Sequence, residues 1–142
     1  MKVILDVNVI LSALIRDSTT RKIILNSEFD FYFPELSLHK IRKYKDYILE
    51  KSGLTGEEYN KIMATLFKYI KLVPTEEIEK NWDKAKKIME HIDKEDTVFI
   101  ATALSISNSV VWSDDGHFEK QDKVKVLKTE EIIQLFTKKD IL

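Results

Sequence analysis

Met1-Lys2-Val3-Ile4-Leu5-Asp6-Val7-Asn8 opens the chain as a short apolar run that ends on a carboxylate and an amide. Residues 2–5 are apolar and β-branched enough for a buried strand. Val9, Ile10, Ala13 and Leu14 then share one side of a helix over Asn8–Ile15. A strand that delivers an Asp to a strand-to-helix junction is the arrangement that places ligand groups at the edge of an α/β sheet. The same grammar returns near the other end. Val110-Val111-Trp112 leads into Ser113-Asp114-Asp115-Gly116-His117-Phe118.

Between these two segments, strands and helices alternate. Phe29–Phe33 reads as a strand stopped by Pro34, because aromatics favour the pleated surface. A helix fits Thr20–Ser27, and one long helix fits residues 36–52, with Gly53 as its stop. Thr55 and Glu58 carry a capping-box signature for a helix over about 56–70. Lys71–Val73 reads as a strand closed by Pro74, and Thr75 as the cap of a helix running to His91. Asp93-Lys94-Glu95-Asp96 heads a helix that is apolar nearly all round, as expected of one packed on both sides. Strands at 109–112 and 124–127 and a helix after Thr129 complete the pattern. Alternation of this kind implies an α/β fold with a mainly parallel sheet.

Composition narrows the chemistry. The 142 residues suit one compact domain, 1–142. The absence of Cys excludes thiolate zinc sites, disulfides and Cys nucleophiles. His39, His91 and His117 show no mutual zinc-ligand spacing. No glycine-rich phosphate loop or nucleophile elbow is present. Neither a signal peptide nor a membrane span is legible, so a cytoplasmic protein is expected. The net charge of −1 gives no global sign of nucleic-acid binding. Locally, though, His39, Lys40, Arg42, Lys43 and Lys45 surround Tyr44 and form a stretch able to hold phosphates or merely to face solvent.

Taken singly, the acidic residues have ordinary readings. Asp6 suits a helix N-cap, worth about 1 kcal/mol. Asp93 suits a capping box, and Asp114-Asp115 suits a turn. Asp96 is open between a cap and a site, because its helix must be buried with its N-terminal end near the strand ends. If Asp6, Asp96 and one of the late pair converge, their repulsion calls for a cation. Mg²⁺ or Mn²⁺ would offset it and activate a water against a phosphodiester.

These segments together resemble the PIN-domain family of nucleases, including the VapC-type toxins. Val3–Ile10 resembles the family's opening strand, Asp-x-Asn and helix. Phe33-Pro34-Glu35-Leu36 matches the strand end before its third helix. Asp93–Leu104 resembles its Asp-headed apolar helix, and Trp112–Phe118 its Thr/Ser-x-Asp-x-Asp-Phe segment. The resemblance implies a three-layer α/β/α fold around a parallel, roughly five-stranded sheet. It also implies Mg²⁺- or Mn²⁺-dependent cleavage of single-stranded RNA, an antitoxin partner and a homodimer. By it, Asp6, Asp96 and Asp115 are the catalytic metal-site carboxylates, with Asn8 and Ser113 as polar companions. Lys40, Arg42 and Lys43 would contact RNA.

Two positions depart from the family pattern. His39-Lys40 stands where the family has a Glu, and His117 where its last Asp often falls. A cation there would weaken metal affinity, and Glu35 is the candidate substitute acid. The departures leave two expectations open: an active ribonuclease, or a degenerate PIN-like module that binds RNA or a protein. A third reading is a generic α/β interaction domain, in which Asp6, Asp96 and Asp115 would lie far apart.

Overall fold

The structure is a computed structural model that describes residues 1–16, 18–90 and 94–141. Five strands form one sheet: β1 (Lys2–Leu5), β2 (Asp30–Pro34), β3 (Ile70–Val73), β4 (Ser109–Trp112) and β5 (Val126–Leu127). Their order is β3-β2-β1-β4-β5, and every pairing is parallel. Central strands of a parallel sheet are covered on both faces, which is why Val3, Ile4 and Leu5 form an unbroken buried run. Phe31, Phe33, Val111 and Trp112 extend this core sideways. The edges are blunter. β3 exposes Lys71 and Leu72, and β5 shrinks to two residues, shorter than the expected 124–127.

The helices are α1 (Val7–Ile15), α2 (Thr19–Asn26), α3 (Leu38–Lys43), α4 (Lys45–Ser52), α5 (Gly56–Leu66), α6 (Thr75–Glu79), α7 (Trp82–Ile88), α8 (Thr97–Ser105) and α9 (Thr129–Ile141). Right-handed crossovers from β1 to β2 to β3 carry α1–α5 to one face. The return from β3 to β4 carries α6–α8 to the other. In agreement, α5 packs on α1 and α2, while α8 packs on β1, β2, β4, α6 and α7. The expected three-layer α/β/α arrangement with a five-stranded parallel sheet is therefore present.

Local signals account for several element ends. Gly53 takes φ 72° and its N–H caps Leu49, a backbone conformation that L side chains rarely adopt. Thr55 Oγ1 accepts from Glu58 N at 3.1 Å, and Glu58 Oε1 accepts from Thr55 N at 3.0 Å, which completes the capping box. The run Thr97–Ala103 is buried on every side.

Three expectations are corrected. The helix over 36–52 is instead a 3-10 turn at Glu35–Ser37 followed by α3 and α4, separated by a non-helical Tyr44 (φ −94°, ψ 8°). A straight helix of that length would span about 25 Å. The bend keeps both halves against α1, with Ile41 and Ile48 fully buried. The helix from Thr75 is likewise broken, between Glu79 and Trp82. Thr75 is its first helical residue rather than its cap, because the Pro74 carbonyl already accepts from Glu77 N and Ile78 N. The expected end at His91 and the cap at Asp93 lie outside the described residues.

The strand order also locates a crevice. From β1 the chain moves to β2 on one side, while β4 lies on the other. The connections leaving β1 and β4 therefore diverge at their carboxyl ends, and α/β sheets bind ligands at such a switch point. Leu5 pairs with Trp112, so Asp6 and Ser113 are the first residues past the paired segment. Among the described residues, no helix is long and apolar enough to cross a membrane.

Candidate metal centre

Asp6 follows β1 and stands at the N-cap of α1, yet its side chain makes no capping hydrogen bond. The carboxylate instead accepts from Ser113 Oγ at 2.7 Å, across the β1/β4 seam. The cap role is filled by the backbone, since the Asp6 carbonyl accepts from Val9 N at 3.1 Å. Asp6 is buried, and burial pushes its pKa above the ordinary carboxylate value. The Ser113 hydroxyl, the Val7 N–H and the charge of Lys40 pull it back down, while the nearby Asp115 pushes it up. The carboxylate is thus held both by a hydroxyl past the neighbouring strand and by the first N–H of its own helix.

Ser113 is the joint of the site. It is buried and donates to Asp6, and its oxygen accepts from Asp115 N at 3.0 Å. Asp115 Oδ1 then accepts from His117 N at 2.9 Å. These two short turns curl the chain so that residues 113, 115 and 117 point back over the strand ends. Phe118, fully buried, pins the loop to the core. Asp114 is engaged by the start of α9. Its two oxygens accept from Thr129 N at 2.8 Å and Thr129 Oγ1 at 2.6 Å, and Thr129 Oγ1 in turn accepts from Trp112 Nε1 at 2.8 Å. Both members of the adjacent pair line the cleft beside α1, but Asp114 ties α9 to β4, while Asp115 stands with His117.

Asp96 arrives from the opposite layer, at the start of α8, and is buried. Its Oδ2 lies 3.2 Å from His117 Nδ1, which is itself 3.4 Å from Asp115 Oδ1. Asp96, Asp115 and His117 each offer a ligand atom within 4.8 Å of the others. Asp6 joins this cluster through Ser113 and through its charge interaction with Asp115. The third reading of the sequence, with the Asp residues far apart, is therefore excluded. Two carboxylates and an imidazole at these spacings are a chemically sound donor set for a divalent cation. Ligand atoms about 3 Å apart form the edges of an octahedron with bonds of roughly 2.1 Å.

The remaining candidates are spread around this centre. Asn8 is exposed and lines a cleft of about 460 Å³ with Ser12, Arg16, Asp115 and Thr129. Lys40 is four-fifths covered, with its ammonium 3.6 Å from Glu95 Oε2 and close enough to Asp6 to lower its pKa. Arg42 and Lys43 are exposed on α3. Glu35 is exposed in the 3-10 turn and stands outside the cluster. His39 is engaged locally, with Nδ1 2.9 Å from the Leu36 carbonyl. The residue that sequence reasoning undervalued is His117, read there as a lost acid. Its signal was the Asp115-Gly116-His117 spacing, because a turn closed by Asp115 onto His117 N brings both side chains to one side.

The fold is thus a parallel five-stranded α/β sheet with, at its switch point, a group of side chains that could hold a metal ion. The sequence matches the family described as PIN domain over residues 4–137, and the chain belongs to that family. No curated protein matches the chain. PIN domains are nuclease-type domains that bind nucleic acid and generally use divalent metals.

Proposed function

We propose that this protein is a Mg²⁺- or Mn²⁺-dependent ribonuclease that cleaves single-stranded RNA, acting in the cytoplasm as the toxin of a toxin–antitoxin pair. The observation that carries the reading is the convergence of Asp96, Asp115 and His117 beside the Ser113-held Asp6 at the β1/β4 switch point. Asp96, Asp115 and His117 would hold the cation. Once bound, it would neutralise phosphate charge and lower the pKa of water. Asp6 accepts the proton given up by the attacking water, a role suited to a buried carboxylate whose pKa is raised. Ser113 keeps that carboxylate oriented, and Lys40 moderates its charge. The RNA strand runs through the cleft beside Asp115, with Asn8 and Ser12 as hydrogen-bonding groups and Arg16 on a backbone phosphate. Arg42 and Lys43 on α3 add sequence-independent attraction.

The test is cleavage of end-labelled single-stranded RNA with and without Mn²⁺ or Mg²⁺. Stimulation by metal, with loss in chelator and in Asp6→Asn, supports the reading. Cleavage that survives Asp6→Asn overturns it. A second reading, a non-catalytic module that binds RNA or a protein, is favoured by the inward Lys40 where the family pattern carries Glu. It expects RNA binding that chelator leaves unchanged and no cleavage at all.

A further inference from the structure

His117 is where this chain departs most from an all-carboxylate centre, and its placement follows from the chain around it. Its backbone N–H is held by Asp115 Oδ1 at 2.9 Å, and the next residue, Phe118, is fully buried. The backbone at His117 is therefore fixed to the loop, and Nδ1 faces carboxylates from two different elements at 3.2 Å and 3.4 Å. We infer that His117 is a direct nitrogen ligand of the metal through Nδ1, and that this donor makes the centre select Mn²⁺ over Mg²⁺. The inference rests on the metal-dependent reading above and specifies which ion that site takes.

Replacing a carboxylate by a neutral imidazole removes one negative charge from the donor set. Mg²⁺ is a hard ion bound through oxygen and charge, and it keeps much of its water, so it loses most from that exchange. An imidazole is a softer donor suited to first-row transition ions, so it restores affinity for them and not for Mg²⁺. Asp96 and Asp115 supply two carboxylates, enough to neutralise a divalent ion, and His117 then decides which one. Asp6 lies beside this group of three rather than in it, with Oδ2 accepting from Ser113 Oγ.

The experiment is electron spin echo envelope modulation on Mn²⁺ bound to the wild-type protein, with Mn²⁺ and Mg²⁺ titrated calorimetrically into wild type, His117→Asp and Asp115→Asn. The expected result is imidazole ¹⁴N modulation in wild type and its loss in His117→Asp. The ratio of Mn²⁺ to Mg²⁺ affinity should also fall by about tenfold or more in His117→Asp. Bound Mn²⁺ without ¹⁴N modulation, or a ratio unchanged in His117→Asp, overturns the inference while leaving a metal-dependent nuclease standing. Wild type that binds neither ion, or Asp115→Asn that binds as wild type does, overturns the metal-dependent reading and the inference with it. The modulation is read on the wild-type protein and does not depend on any variant folding.

Discussion

Past β4 the chain curls Ser113, Asp115 and His117 back toward Asp6, whereas past β2 it leaves Glu35 and His39 exposed and covers most of Lys40. Both strand ends lie on the same edge of the same parallel sheet. They differ in what flanks them. β4 borders β1 where the connections diverge, so a crevice opens there. The connections leaving β1 and β2 cross to the same face, and α1 and α3 pack together above that seam. The acid past β2, Glu35, stands exposed on its 3-10 turn, outside the cluster. A long, flexible amine can instead reach across to the Glu95 side and lower the pKa of Asp6. One strand end therefore supplies donors, and its neighbour supplies countercharge.

The largest expected effect separates the two ends by their anchoring. Phe118→Ala, in the loop past β4, should destabilise the fold by about 3–5 kcal/mol in urea unfolding. Leu36→Ala, on the exposed turn past β2, should stay within about 0.5 kcal/mol. Similar costs at the two positions would remove the distinction. Next, Asp115→Asn should weaken Mn²⁺ binding by about 100-fold or more in calorimetry, while Glu35→Gln leaves it unchanged. A loss in Glu35→Gln would restore a ligand role to the β2 end. A smaller effect is expected along the cleft. Arg16→Ala should weaken single-stranded RNA binding uniformly across sequences and reduce its salt slope by about 1, read by fluorescence anisotropy.

The smallest effect concerns charge alone. Asp6 has a folded-state pKa above its ordinary value of 3.8. Between that value and the raised one the folded state binds the extra proton, so stability falls as pH rises through the window. Without divalent ions, wild type should therefore lose stability relative to Asp6→Asn as pH rises from about 4. Lys40→Met removes a charge that lowers the Asp6 pKa, so the loss should extend to higher pH. Thermal melts in chelator at a series of pH values measure both. A wild-type curve parallel to that of Asp6→Asn would show that burial leaves Asp6 unshifted.

Much of this frame is readable in one dimension, because it depends on neighbours a few residues apart. Val3–Leu5, Val110–Trp112 and the all-round apolar run from Thr97 declare buried strands and a buried helix. Thr55 with Glu58, and Gly53, declare their caps. The break at Tyr44 is not readable, because no Gly or Pro marks it. The periodicity of Leu38, Ile41, Ile48 and Leu49 continues through a bend imposed by packing on α1.

For the centre itself, the amino-acid sequence by itself determined which residue types stand at the strand ends and at the head of the buried helix. Strand and helix periodicity place Asp6, Asp96 and the Asp114-Asp115 pair there without any structure. Only the tertiary structure decided the direction of each side chain. Asp114 turns to Thr129, fifteen residues on, and Asp6 is held by Ser113, 107 residues away. His117 meets Asp96 from the opposite layer, and Lys40 stands beside Glu95. Local pattern encodes the element. The partner that orients a polar side chain past the end of an element comes from wherever the fold brings one within hydrogen-bond reach.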